Sequence, residues 1–78
     1  MDYFYYKNKV TGHIASLSIG EATMNFHIDR TNITKKFFLS TDKKRRSQHL
    51  KKHPEEILKK CVDNVDDWKQ VDVMDCFQ

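Results

Sequence analysis

Seventy-eight residues leave room for one domain, 1–78, whose thin core has little stability to spare. With 38% hydrophobic and 32% charged residues the chain is polar, yet its large apolar residues recur with period, which excludes full disorder. The net charge of +3 hides a strong asymmetry: residues 30–53 hold nine Lys and Arg against Asp42 alone, whereas residues 54–78 hold three against seven acids.

In chain order, residues 1–40 read as an antiparallel meander of three to four strands. "DYFYYKNKV" is aromatic and β-favouring. After Gly12, "HIASLSIG" sets Ala15, Leu17 and Ile19 on one face. Gly20-Glu21 then turns the chain into "EATMNFHID", where Met24, Phe26 and Ile28 alternate with Thr23, Asn25 and His27. Residues 29–32 are polar and turn-like, and "ITKKFFLS" aligns Ile33, Lys35, Phe37 and Leu39. Consecutive aromatics must divide between the two faces of a strand. Within Tyr3–Tyr6, and between Phe37 and Phe38, one row is expected to be core and the other to cover a second packed layer or a dimer interface. Sheet aromatics beside Lys also suit base stacking, but the glycine-interleaved pattern of ribonucleoprotein sheets is absent.

Residues 41–68 read as helical. Ser40, Thr41 and Asp42 are good N-caps, and residues 43–52 are strong helix formers with Leu50 as their one large apolar side chain. Such a helix is expected to grip a core weakly. Pro54 begins a second helix, with Glu55 and Glu56 in its first turn. Ile57, Leu58, Cys61, Val62, Val65 and Trp68 follow at helical spacing. Residues 69–78 read as a last strand or an ordered tail. The fold class expected is α+β: an N-terminal antiparallel sheet of three to four strands, with an amphipathic C-terminal helix packed on one face and a short basic helix before it. Its expected core is Met24, Phe26, Ile28, Phe37, Leu39, Ile57, Leu58, Cys61, Val62 and Val65.

Candidate chemistry centres on the basic segment. Lys43, Lys44, Arg45, Arg46, Lys51 and Lys52 share one helix, and Lys35 and Lys36 would extend the patch from the preceding strand. Neutralising phosphates releases counterions without any need for sequence recognition, and Arg can bind phosphate with two parallel donors. A solvated surface helix or a short import address would also explain "KKRR". Nine cations against one acid favour an anionic partner.

His49 and His53, four apart, suit two metal ligands. No CxxC or HExxH supplies a third, though, and a lysine cluster repels a divalent cation, so no metal is expected. Cys61 falls in the apolar stripe and reads as core; neither it nor Cys76 has an identifiable base. "DNVDD" lacks the glycine and glutamate of a calcium loop and falls within the helical spacing. With Gly12 and Gly20 as the sole glycines, no phosphate-cradling loop exists. These absences argue against an enzyme and against a cofactor.

Two cysteines, no signal-like start and no run near the ~20 apolar residues of a membrane span point to an intracellular protein (cytoplasm or host-cell interior) with reduced, unbridged thiols. The function expected is a non-enzymatic nucleic-acid-binding or regulatory module using the basic segment. The alternative is a small mobile-element-type (phage-like) inhibitor or adaptor that docks on a nucleic-acid-handling machine. Homodimerisation would supplement the thin core under either reading.

Overall fold

The computed structural model describes residues 2–21, 23–38 and 43–74. Leu39, Cys76 and the three candidate N-caps, Ser40, Thr41 and Asp42, lie outside the described residues. Four strands come first: β1 (Asp2–Asn8), β2 (Ile14–Ile19), β3 (Thr23–Ile28) and β4 (Thr34–Phe38). Helices α1 (Lys43–Lys52) and α2 (Glu55–Cys61) follow, then a 3₁₀ turn (Val65–Asp67) and β5 (Trp68–Val71). The sheet is antiparallel throughout, in the order β4-β3-β2-β1-β5.

Period-two alternation decides which side chains meet. In β2 and β3, Ala15, Leu17, Ile19, Met24, Phe26 and Ile28 are all buried, and their registered partners sit side by side: Leu17 opposite Phe26, Ile19 opposite Met24. Tyr6 of β1 joins them, registered to Ala15. Leu50, Ile57, Leu58 and Cys61 close this core from the helical side, with Phe4, Phe37, Val62, Val65 and Trp68 partly buried at its margin. Both helices therefore cover one face of the sheet.

The turns hold the register. Asn8, 3% exposed, turns its Oδ1 toward the β1–β2 turn and accepts the N–H groups of Val10 (2.8 Å) and Thr11 (2.9 Å). Gly12 completes that turn at φ 79°, a backbone conformation that glycine adopts without a Cβ clash. Asp29 Oδ1 accepts the Ile14 N–H at 2.7 Å, which extends the β2–β3 pairing past its last ladder residue.

The structure departs from the sequence expectations at the C-terminal end. The sheet has five strands rather than three to four. The second helix stops at Cys61 instead of running to residue 68, and Val62 is already extended (φ −130°, ψ 148°). Asp63 and Asn64 are poor helix residues, and the three acids Asp63, Asp66 and Asp67 would crowd the negative helix C-terminus. The acids of "DNVDD" therefore lie in a loop and a 3₁₀ turn, where Asn64 Nδ2 donates to Asp67 Oδ2 at 3.0 Å, and do not form a helix face. Val65 and Trp68 still pack at the core margin, so their apolar spacing carried a true burial signal on the wrong backbone. Tyr6, Ala15, Leu17, Ile19 and Leu50 complete the buried set that the expected core left out.

Phe26 is fully buried at the centre of this core. Phe26→Ala is expected to cost about 3–5 kcal/mol, a large share of the stability of so small a domain, read as a fall in the urea midpoint. An unchanged midpoint would mean that β3 does not present Phe26 inward.

Tyr6 offers a second test. Its hydroxyl is buried with no hydrogen-bond partner among the described residues, and burial, reinforced by the Glu55 carboxylate, pushes its phenol up to about 12. An unfolded tyrosine ionises near ~10, so the unfolded chain loses this proton first. Stability from this group is complete below that pH and falls as pH rises toward about 12, by about 2–3 kcal/mol. Tyr6→Phe is expected to lose stability less steeply than wild type over that window in urea titrations; parallel curves would contradict the assignment.

Candidate functional site

The basic helix α1 is held to the core by two side chains. Leu50 is 3% exposed, and Ser47, one turn earlier, is 2% exposed and donates its hydroxyl to the Gly20 carbonyl at 3.0 Å. A Ser–Leu pair at i, i+3 makes a narrow docking stripe, and the grip is better than the single apolar residue of the sequence suggested. Arg45, Arg46 and Lys52 are exposed and Lys51 is half-buried. Lys43 and Lys44 open the helix, with side chains outside the described set.

The charge on α1 is badly placed for helix stability at one end and well placed at the other. No acid occupies its first turn, which begins Lys43-Lys44-Arg45 at the positive end of the helix dipole. Each such cation costs a few tenths to about 1 kcal/mol, and an anion there would remove the cost. The last turn is stabilised by its own cations and by α2. His49 Nε2 lies 3.0 Å from Glu56 Oε2, and His53 Nδ1 lies 3.5 Å from Glu55 Oε1. The imidazole rings are 5.0 Å apart, so the two histidines do share a face, and each engages a glutamate. Among the described residues no cluster of three His, Cys, Asp or Glu side chains is arranged to hold a metal.

Lys35 and Lys36 part company. They are neighbours on β4, so they point to opposite faces. Lys35 turns to the helical side and its Nζ donates to the Cys61 carbonyl at 3.1 Å, capping the end of α2. Lys36 projects from the uncovered face with its Nζ 5.5 Å from the centroid of the Phe38 ring. The eight candidate cations therefore do not form one continuous patch: Lys35 serves the fold, Lys36 belongs to the far side of the sheet, and the other six ride on α1.

That far side carries the outward half of the paired aromatics. Phe37 packs at the core margin while Phe38 is 75% exposed; Phe4 and Tyr6 turn inward while Tyr3 is 60% exposed. No second layer lies over the outward row among the described residues. Lys7 and Lys69 also face outward, directly opposite each other in the β1–β5 register. Lys7 could have been placed from the alternation of β1, whereas Lys69 fell in the segment read as a last strand or a tail, and its face follows only from the β1–β5 pairing.

A shallow cleft of about 510 Å³ lies where the β1–β2 and β3–β4 turns meet the end of α2, with His13, Ile33, Cys61, Asn64 and Trp68 on its walls. Burial pushes the Cys61 thiol up, with Lys35 and Lys60 opposing, so at neutral pH it is a protonated and weak nucleophile. Among the described residues no helix is long and apolar enough to cross a membrane. No known protein family, curated protein or solved structure matches this chain.

Leu50→Ala should loosen the grip of α1, because a buried leucine is typically worth about 2–5 kcal/mol. Hydrogen exchange is expected to show lost protection in the α1 amides ahead of those in β2 and β3. Equal loss in both regions would show that α1 is not a separately docked element.

Proposed function

We propose that the chain is a non-enzymatic nucleic-acid-binding or regulatory module, intracellular, that engages phosphate through α1. The observation that carries this reading is the way α1 is built. Ser47 and Leu50 dock it, its first turn holds cations and no acid, and Arg46 and Lys52 are exposed. A helix serving only solubility would gain from acids in that first turn; this one has none. The contacting residues are Lys43, Lys44, Arg45, Arg46, Lys51 and Lys52, with affinity dominated by counterion release.

Fluorescence anisotropy with a labelled duplex tests this. Six phosphate contacts would give a log K against log salt slope of roughly −5. Arg45→Glu/Arg46→Glu is expected to weaken binding and flatten the slope by about 2, with the thermal midpoint little changed because both side chains are exposed. Wild-type protein that binds no oligonucleotide even at low salt would contradict the reading and favour the alternative, an inhibitor or adaptor that uses α1 to dock on a protein partner.

A further inference from the structure

We propose that the open face of the sheet binds single-stranded nucleic acid, stacking bases on Tyr3 and Phe38 and holding phosphates with Lys36 and with the pair Lys7 and Lys69. This deepens the nucleic-acid reading by naming the ligand, and it stands on residues that α1 does not contain.

The cross-strand register builds the site. Lys36 is opposite Asn25 on β3, Asn25 is opposite Ser18 on β2, and Ser18 is opposite Tyr3 on β1. One row thus runs from a cation, over two small polar side chains, to an exposed aromatic ring. Phe38 stands two residues beyond Lys36 on the same face. The columns of Phe38 and Tyr3 are separated by three strand spacings, roughly 14 Å, and the low side chains between them let planar groups approach. Exposed rings on a flat polar floor can stack unpaired bases, whose faces a duplex does not offer.

Charge selects the ligand. Like charges directly opposite each other across a strand pair destabilise it, and Lys7 and Lys69 are so placed. Every outward strand position of this face carries an aliphatic, aromatic, hydroxyl, amide, imidazole or ammonium side chain, and none carries a carboxylate. An anion relieves the repulsion. A covering protein layer fits less well: Ser16, Ser18 and Asn25 at the centre offer little apolar area, and an isologous second copy would bring two sets of three lysines together.

Anisotropy with a labelled oligothymidine of about ten nucleotides, in low salt, tests the proposal. Each of Tyr3→Ala and Phe38→Ala is expected to weaken binding by about fivefold to a hundredfold, with the thermal midpoint unchanged. Tyr3→Phe should keep wild-type affinity, because the ring and not the hydroxyl makes the contact. Duplex binding should survive both aromatic truncations and fall in Arg45→Glu/Arg46→Glu, so a failure of the α1 reading is seen separately. The proposal is overturned if Tyr3→Ala/Phe38→Ala binds oligothymidine as wild type does, or if wild type does not bind it. It is also overturned if sedimentation shows a wild-type dimer that those two substitutions dissociate.

Discussion

A strand side chain has two directions to choose from, and two short helices can cover only one face of a five-stranded sheet. The rest of the molecule follows from that constraint. The core forms where Ala15, Leu17, Ile19, Met24, Phe26 and Ile28 line up beneath Leu50, Ile57 and Leu58. Everything that alternates with them is left on a second face. On a chain this short no further element remains, among the described residues, to cover it. The outward face must therefore be compatible with water alone or have a ligand of its own, and its composition of serines, threonines, lysines and a few rings meets both conditions.

Polar contacts supplement the buried Leu50, Ile57, Leu58 and Cys61 in holding the helical layer. Ser47 ties α1 to the end of β2, Lys35 ties the end of α2 to β4, and the glutamates at the start of α2 meet the histidines at the end of α1. The exposed His–Glu pairs each contribute little by themselves. Together they fix the order of the two helices around Pro54, which sets the turn between them and is itself buried. This arrangement pairs the acids at 55 and 56 with His53 and His49, while Arg46 and Lys52 of α1 are exposed. The basic stretch is consequently less uniform than its sequence: its last turn meets the glutamates of α2, and its first turn contains no acid.

Alternation made β2 and β3 legible from sequence, because strict apolar–polar periodicity over six residues, bounded by turn residues, has few other structural meanings. Lys35 and Phe37 were likewise placed on the correct face. The boundary at Cys61 was not legible, since Val65 and Trp68 continue the helical spacing although they reach the core by way of a 3₁₀ turn and a strand. A last strand after residue 68 was one of two alternatives in the sequence, but its place at the free edge of β1 is a tertiary fact: Asn8 opposite Trp68 and Lys7 opposite Lys69 are pairings that no local pattern encodes. The candidate site suffered in the same way. The charge run in α1 is visible in one dimension, whereas Lys36, Tyr3 and the Lys7–Lys69 pair become a surface only once five strands are laid side by side.

The central claim is that one face of the sheet is core and the other is a ligand face. Amide chemical-shift mapping on isotope-labelled protein, titrated with a short oligothymidine, tests it most directly. Binding on the open face is expected to perturb residues around Tyr3, Asn25, Lys36, Phe38 and Lys69, with the amides of α2 comparatively still. Perturbations confined to the two helices, or to the cleft beside Trp68, would contradict the account.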